Sequence, residues 1–133
     1  MLKVEHIGIA VNNLEDSNVL FARLLGTEPY KTELVVSEGV RTAFFRTGET
    51  KIELLEATRP DSPVARFLDR RGEGMHHIAY EVADIGAEMQ RLRAEGFVLL
   101  NETPQRGADN KLVCFLHPKS TNGVLIELCQ EIR

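Results

Sequence analysis

The sequence predicts an α+β fold assembled from two β-α-β-β-β repeats, and three observations carry that prediction. First, Val4-Glu5-His6-Ile7-Gly8-Ile9-Ala10-Val11 is answered by Gly74-Met75-His76-His77-Ile78-Ala79-Tyr80-Glu81-Val82, with His6 meeting His77, Ile7 meeting Ile78 and Val11 meeting Val82. Second, each of these stretches runs into a helix opened by an Asn or Asp cap and closed by glycine. Third, each half ends on the same tripeptide, Ile52-Glu53-Leu54 and Ile126-Glu127-Leu128. Only two long repeats imply a pseudo-symmetric domain rather than a solenoid, which stacks three or more units.

The elements follow in order. Residues Val4 to Val11 alternate with period two, so Ile7, Ile9 and Val11 share one face and His6, Gly8 and Ala10 the other. Asn13 is a good helix cap, with Asp16 in the first turn where a carboxylate favours the helix dipole. Leu14, Val19, Leu20, Phe21, Leu24 and Leu25 then fall near helical spacing up to Gly26. Three strands are predicted next, Glu28 to Val36, Val40 to Arg46 and Lys51 to Glu56, joined by turns at Ser37-Glu38-Gly39 and Thr47-Gly48-Glu49-Thr50.

Between the halves, residues 59–73 form a bridge, with Ser62 as cap and Pro63 in the first turn of a short helix. The repeats are thus bounded at about 1–58 and 74–133 of a single domain, 1–133. In the second repeat, the strand of Ile78, Tyr80 and Val82 sends His77, Ala79 and Glu81 to its opposite face. Asp84 caps a helix carrying Ile85, Ala87, Met89, Leu92 and Ala94 up to Gly96. Strands are predicted over Phe97 to Leu100, Leu112 to Leu116 and Val124 to Cys129. Met75 and Met89 read as core fillers.

Composition narrows the class. With 43% hydrophobic and 27% charged residues, the chain is an ordinary globular domain long enough to bury a real core. The net charge of −4, the absence of Trp and the lack of a basic stripe exclude a nucleic-acid surface. No apolar run approaches the ~20 residues that span a bilayer, and the first residues lack signal-peptide anatomy. Cys114 and Cys129 sit in apolar runs and read as buried free thiols of a reducing compartment, which points to the cytoplasm.

Alternation also places chemistry. In both Ile-Glu-Leu strands the acid points away from its apolar neighbours, and polar-out solvation would be the ordinary reason. The same acid in both closing strands, matched to the same histidine in both opening strands, points instead to a four-ligand set: His6, Glu53, His77 and Glu127. Two imidazoles and two carboxylates suit a divalent ion in an octahedral field with two positions for water or substrate. Such an ion serves as a Lewis acid for a developing oxyanion, and the natural reaction class is proton abstraction beside a carbonyl.

These stretches resemble the vicinal oxygen chelate fold, also called the glyoxalase/bleomycin resistance/dioxygenase fold, and within it the methylmalonyl-CoA epimerases from Val4 to Leu128. The segments that carry the likeness are Val4 to Val11, Lys51 to Glu56, Asp61 to Leu68, Gly74 to Val82 and Phe115-Leu116-His117-Pro118-Lys119-Ser120-Thr121-Asn122-Gly123-Val124-Leu125-Ile126-Glu127-Leu128. The last is the most specific, because other members of the fold usually run Asp-Pro-Asp-Gly-like there.

The resemblance implies a curved, pseudo-two-fold β-sheet cup around a metal site. It also implies inversion at C2 of methylmalonyl-CoA and one divalent ion (Co, Zn, Mg, Mn or Ni) held by His6, Glu53, His77 and Glu127. Inversion requires an acid/base group on each face of C2. Glu127 matches one of the family's pair. The position of the other, a glutamate in some members, is Thr42 here, which lacks useful acidity; Glu53, a metal-bound water or a relay through Thr42 would have to replace it. Lys119, Arg106 and Lys111 read as solvated loop cations or, alternatively, as residues that would neutralise the CoA phosphates, and a homodimer with neither nucleic-acid nor membrane partners is implied.

His76 points opposite to His77 and reads as a core or rim residue, and His117 as a hydrogen-bonding loop residue. Glu81 lies too far along its strand to join the set. Two other activities use similar ligands: a glyoxalase-I-like lyase and a two-His, one-carboxylate iron dioxygenase. A metal-free binding module of the same fold would need none of the four.

Overall fold

The computed structural model describes residues 1–133. The chain forms two compact units: an amino-terminal one, His6–His76, and a carboxy-terminal one made of His77–Arg133 with Met1–Glu5. The elements run β1 (Lys3–Ala10), α1 (Leu14–Leu25), β2 (Lys31–Val35), β3 (Val40–Thr47), β4 (Thr50–Ala57), α2 (Pro63–Arg71), β5 (Gly74–Glu81), α3 (Ile85–Ala94), β6 (Gln105–Gly107), β7 (Lys111–Leu116) and β8 (Ile126–Glu131). The predicted β-α-β-β-β order is present in both repeats.

In the amino-terminal unit the strands are ordered β2-β3-β4-β1. The β2–β3 and β3–β4 hairpins are antiparallel, and β1 lies parallel to β4. The Asn13 side chain accepts from the Asp16 N–H at 2.9 Å, and Gly26 closes α1 in the left-handed region at φ 71°. Helix α1 packs on the face that carries Val11, Ala43, Phe45 and Leu54, with Leu14, Phe21, Ala22 and Leu25 turned inward. Phe45 and Leu54 are fully buried, each stabilising the unit by roughly 1.5–3 kcal/mol. Val19, Leu20 and Leu24 do not join this core and remain exposed.

The β2–β3 connection is a short 3-10 turn, Val36–Glu38, ended by Gly39 at φ 67°. Gly39 is needed twice over, because a Cβ there would also lie 2.8 Å from the Ser62 Cβ. The predicted strand from Glu28 is shorter than expected and starts only at Lys31. Helix α2 begins as predicted, with Ser62 Oγ accepting from the Ala65 N–H and Pro63 in the first turn.

In the carboxy-terminal unit the order is β5-β8-β7-β6, with β5 parallel to β8 and the remaining pairs antiparallel. Asp84 caps α3 by accepting from the Ala87 N–H, and the Ile85 N–H donates to Gln130 Oε1 at 2.7 Å. This helix lays Ile85, Met89 and Leu92 on Val82, Cys114, Leu116 and Leu128.

Three expectations are corrected here. Phe97 to Leu100 is not a strand: it makes one isolated bridge, Leu99 to Leu116. The edge strand is instead Gln105–Gly107, paired to β7 across a turn with Asp109 and Asn110 at φ 57° and 56°. Its polar side chains hid it, since an edge strand can be solvated on both faces. Met75 is 59% exposed and fills no core, whereas Met89 does. The last strand starts at Ile126 rather than Val124.

Candidate functional site

Each unit builds one histidine–glutamate pair from parallel neighbouring strands. In the amino-terminal unit, Gly8 on β1 is opposite Glu53 on β4, so His6, Gly8, Glu53 and Leu55 look out from one face of the sheet. His6 Nε2 lies 3.3 Å from Glu53 Oε1, and both side chains are only 6% exposed. Phe44, opposite Glu53 on β3, meets the His6 imidazole edge to face at 6.2 Å between centroids. Gly8 leaves room beside the imidazole.

The carboxy-terminal unit repeats this arrangement. Ala79 on β5 is opposite Glu127 on β8, and His77 Nε2 lies 3.1 Å from Glu127 Oε1, with side chains 2% and 6% exposed. Phe115, opposite Glu127 on β7, meets His77 edge to face at 6.0 Å. The apolar ring beside each imidazole limits water access and fixes the ring plane.

Both pairs fit a metal. Ligand atoms about 2.1 Å from one octahedral ion stand about 3.0 Å apart when adjacent, and the two separations match that edge. Imidazole nitrogen and carboxylate oxygen, without thiolate, select a divalent ion of borderline or hard character. Burial of four such groups without purpose would be costly, since buried ionisable groups persist when paired or coordinated.

Thr42 is fully buried, and its Oγ1 has no hydrogen-bond partner. It stands opposite Leu55 on β4 and Glu33 on β2, on the same face as Phe44 and Glu53. The proposed phosphate partners are scattered. Arg106 is exposed on β6 and lines a cleft of about 810 Å³ with Lys3, Glu131 and Arg133. Lys119 lines a separate cleft of about 440 Å³ with Glu95, Phe97 and Ser120. Lys111 is not a solvated loop cation: it is buried at the start of β7, its Nζ 3.4 Å from the Asp109 carbonyl and 3.9 Å from Glu131 Oε1.

His117 is a loop residue, its Nδ1 accepting from the Lys119 N–H at 3.0 Å. His76 is half-buried and stacks edge to face on Phe67 at 5.0 Å. Two residues escaped the sequence reading. Glu5 is buried, with a carboxylate oxygen within 4.8 Å of the Cys129 sulfur. Glu33 shares the face of Glu53. Alternation along β2 was the only signal for Glu33, and a polar residue on an edge strand ordinarily reads as solvated.

A family model described as the glyoxalase/bleomycin resistance protein/dioxygenase superfamily matches residues 5–115. The chain belongs to this superfamily. Among its relatives in the superfamily is the ethylmalonyl-CoA/methylmalonyl-CoA epimerase of Cereibacter sphaeroides, 42% identical over 130 residues, covering 96% of this chain and 97% of that protein. The mitochondrial methylmalonyl-CoA epimerase of Dictyostelium discoideum is 42% identical over 127 residues, 95% of this chain and 76% of that one. Among solved superfamily structures, a variant of Streptomyces coelicolor methylmalonyl-CoA epimerase in complex with 2-nitronate-propionyl-CoA superposes with a TM-score of 0.96. That likeness covers 100% of this chain and 99% of the other at 36% identity.

Proposed function

We propose that the protein is a divalent-metal-dependent epimerase acting at C2 of methylmalonyl-CoA. The observation that carries this reading is the duplicated pair, His6–Glu53 at 3.3 Å and His77–Glu127 at 3.1 Å. In a chain whose full length matches methylmalonyl-CoA epimerases, that donor set has a defined use.

Residues 1–133 are taken as one domain, and His6, Glu53, His77 and Glu127 would be the ligands of one ion (Co, Zn, Mg, Mn or Ni). When bound, the ion supplies a Lewis acid for the thioester oxygen as negative charge develops there. Glu127 then moves the proton at C2 on one face, its carboxylate accepting in one direction and its carboxylic acid donating in the other. Glu53 holds metal and is a candidate for the opposite face, as is a relay through Thr42. Gly8 and Ala79, small beside the two imidazoles, leave space for the acyl group, and Phe44 and Phe115 keep bulk water off. Arg106 and Lys119 are the proposed partners of the CoA phosphates. The active form is taken as a homodimer in the cytoplasm, where the free Cys114 and Cys129 stay reduced.

The deciding test is proton–deuterium exchange at C2 of methylmalonyl-CoA in heavy water, with and without chelator. The reading expects rapid, chelator-sensitive exchange with inversion. Retention of the C2 proton by metal-loaded protein would overturn it. A glutathione hemithioacetal, supplied in parallel, checks the glyoxalase-I-like alternative and is expected to remain unconverted.

A further inference from the structure

We propose that Glu33 is the second acid/base group of this site and that Thr42 is its positioning residue. The inference rests on the epimerase reading and supplies what that reading lacks, a proton-carrying group for the second face of C2.

Glu33 and Thr42 are directly opposed across the β2–β3 ladder. Opposed residues share a face with Cβ atoms about 4.5–5.5 Å apart. That face also holds Phe44, Glu53 and His6, so a carboxylate outside the ligand set lies on the sheet surface where the chemistry is proposed. Glu33 is 30% exposed and contacts Lys31 Nζ at 3.4 Å. It can therefore exchange protons with water, as a turnover group must. Glu53, paired with His6 at 3.3 Å, is assigned to the ligand set.

Thr42 adds an independent observation, because its fully buried hydroxyl has no partner in the structure. Packing alone does not call for an oxygen there. The second repeat shows this: Phe115 corresponds to Phe44, and the corresponding opposed pair is Gln105 and Val113. Val113 is buried with the shape of threonine and no hydroxyl. An acid facing a hydroxyl therefore occurs in one repeat, and an amide facing a methyl in the other. In the structure the Thr42 hydroxyl does not reach the Glu33 carboxylate, which lies against Lys31. Turned from Lys31 toward β3, that carboxylate would be the acceptor the buried hydroxyl lacks, and the bond would hold it over the face.

The proton count closes. In one direction the Glu33 carboxylate takes the C2 proton and becomes the acid, while Glu127 delivers its proton to the other face and becomes the carboxylate. The reverse direction starts from that state, and solvent resets the pair between turnovers.

The test uses the full-length protein loaded with cobalt(II), with each epimer of methylmalonyl-CoA supplied separately in heavy water. For Glu33→Gln, epimerisation is expected to fall about a hundredfold or more in both directions. Deuterium should still enter one epimer at C2 without inversion, driven by Glu127, and cease to enter the other. Thr42→Val is expected to lower kcat about tenfold with KM unchanged, and Thr42→Ser to restore it. Thermal melts matching the parent protein confirm folding of each variant. Epimerisation by Glu33→Gln within threefold of the parent, or equal loss of exchange from both epimers in a folded variant, overturns the assignment of Glu33. Unchanged kcat in Thr42→Val overturns that of Thr42. If the parent protein exchanges neither epimer, the epimerase reading falls, and this inference with it.

Discussion

Nε2 of His77 lies 3.1 Å from Oε1 of Glu127, and both side chains are more than nine-tenths buried on neighbouring parallel strands. His6 and Glu53 reproduce the relationship at 3.3 Å in the other unit. The spacing within each pair suits adjacent metal ligands, and the proposed metal use has consequences for binding and stability.

Metal removal is expected to abolish C2 exchange, and cobalt(II) or manganese(II) to restore it. Because an ion bound only by the folded chain stabilises it by mass action, metal at a hundredfold its Kd should add about 2.7 kcal/mol. Calorimetry of the chelated and reloaded protein reads this as a rise in Tm, which is expected to vanish in His77→Ala.

Glu127→Gln and Glu53→Gln should separate two roles. An amide oxygen can still ligate but cannot carry a proton at neutral pH. Glu127→Gln is expected to lose about 10²–10⁴ in kcat. Glu53→Gln should keep metal and lose about tenfold or less. Metal content measured beside steady-state rates distinguishes lost ligation from lost proton transfer.

Gly39→Ala tests the turn that sets the β2–β3 register, and with it the opposition of Glu33 and Thr42. At φ 67°, with a new Cβ 2.8 Å from Ser62 Cβ and 2.9 Å from Arg59 Cζ, the variant is expected to lose on the order of 1–3 kcal/mol. Arg59 holds this turn by donating to the Val36 carbonyl at 2.6 Å. Urea denaturation should show a lower midpoint with an unchanged slope.

The two thiols should be silent in the native protein. Cys114 and Cys129 are both fully buried, and burial pushes the Cys114 thiol above its ordinary range, which keeps it protonated and unreactive at neutral pH. A disulfide reagent is expected to titrate neither thiol in native buffer and both in denaturant.

Much of this was legible in the chain, because period-two alternation and helix caps are local physics. His6, Glu53, His77 and Glu127 were assigned to one strand face each by counting alone. Asn13, Ser62 and Asp84 announced their helices, and each accepts the N–H its position requires. What misled was equally local. Phe97 to Leu100 looks like a strand by residue type, yet the chain pairs Gln105–Gly107 at that edge. Met75 looks like core by hydrophobicity but lies exposed at the start of β5, although His77 and Ala79 on the same face are buried.

The sequence by itself determined the duplicated strand–helix plan and the four ligand-type side chains, since both follow from spacing along one chain. Only the tertiary structure decided which residues stand across from one another. That Glu33 opposes Thr42, that Phe44 and Phe115 each back an imidazole, and that Lys111 is buried beside Asp109 and Glu131 all depend on hairpin register. Register is set by turn geometry and by the burial of whole faces at once, and neither can be read from the neighbours of a single residue.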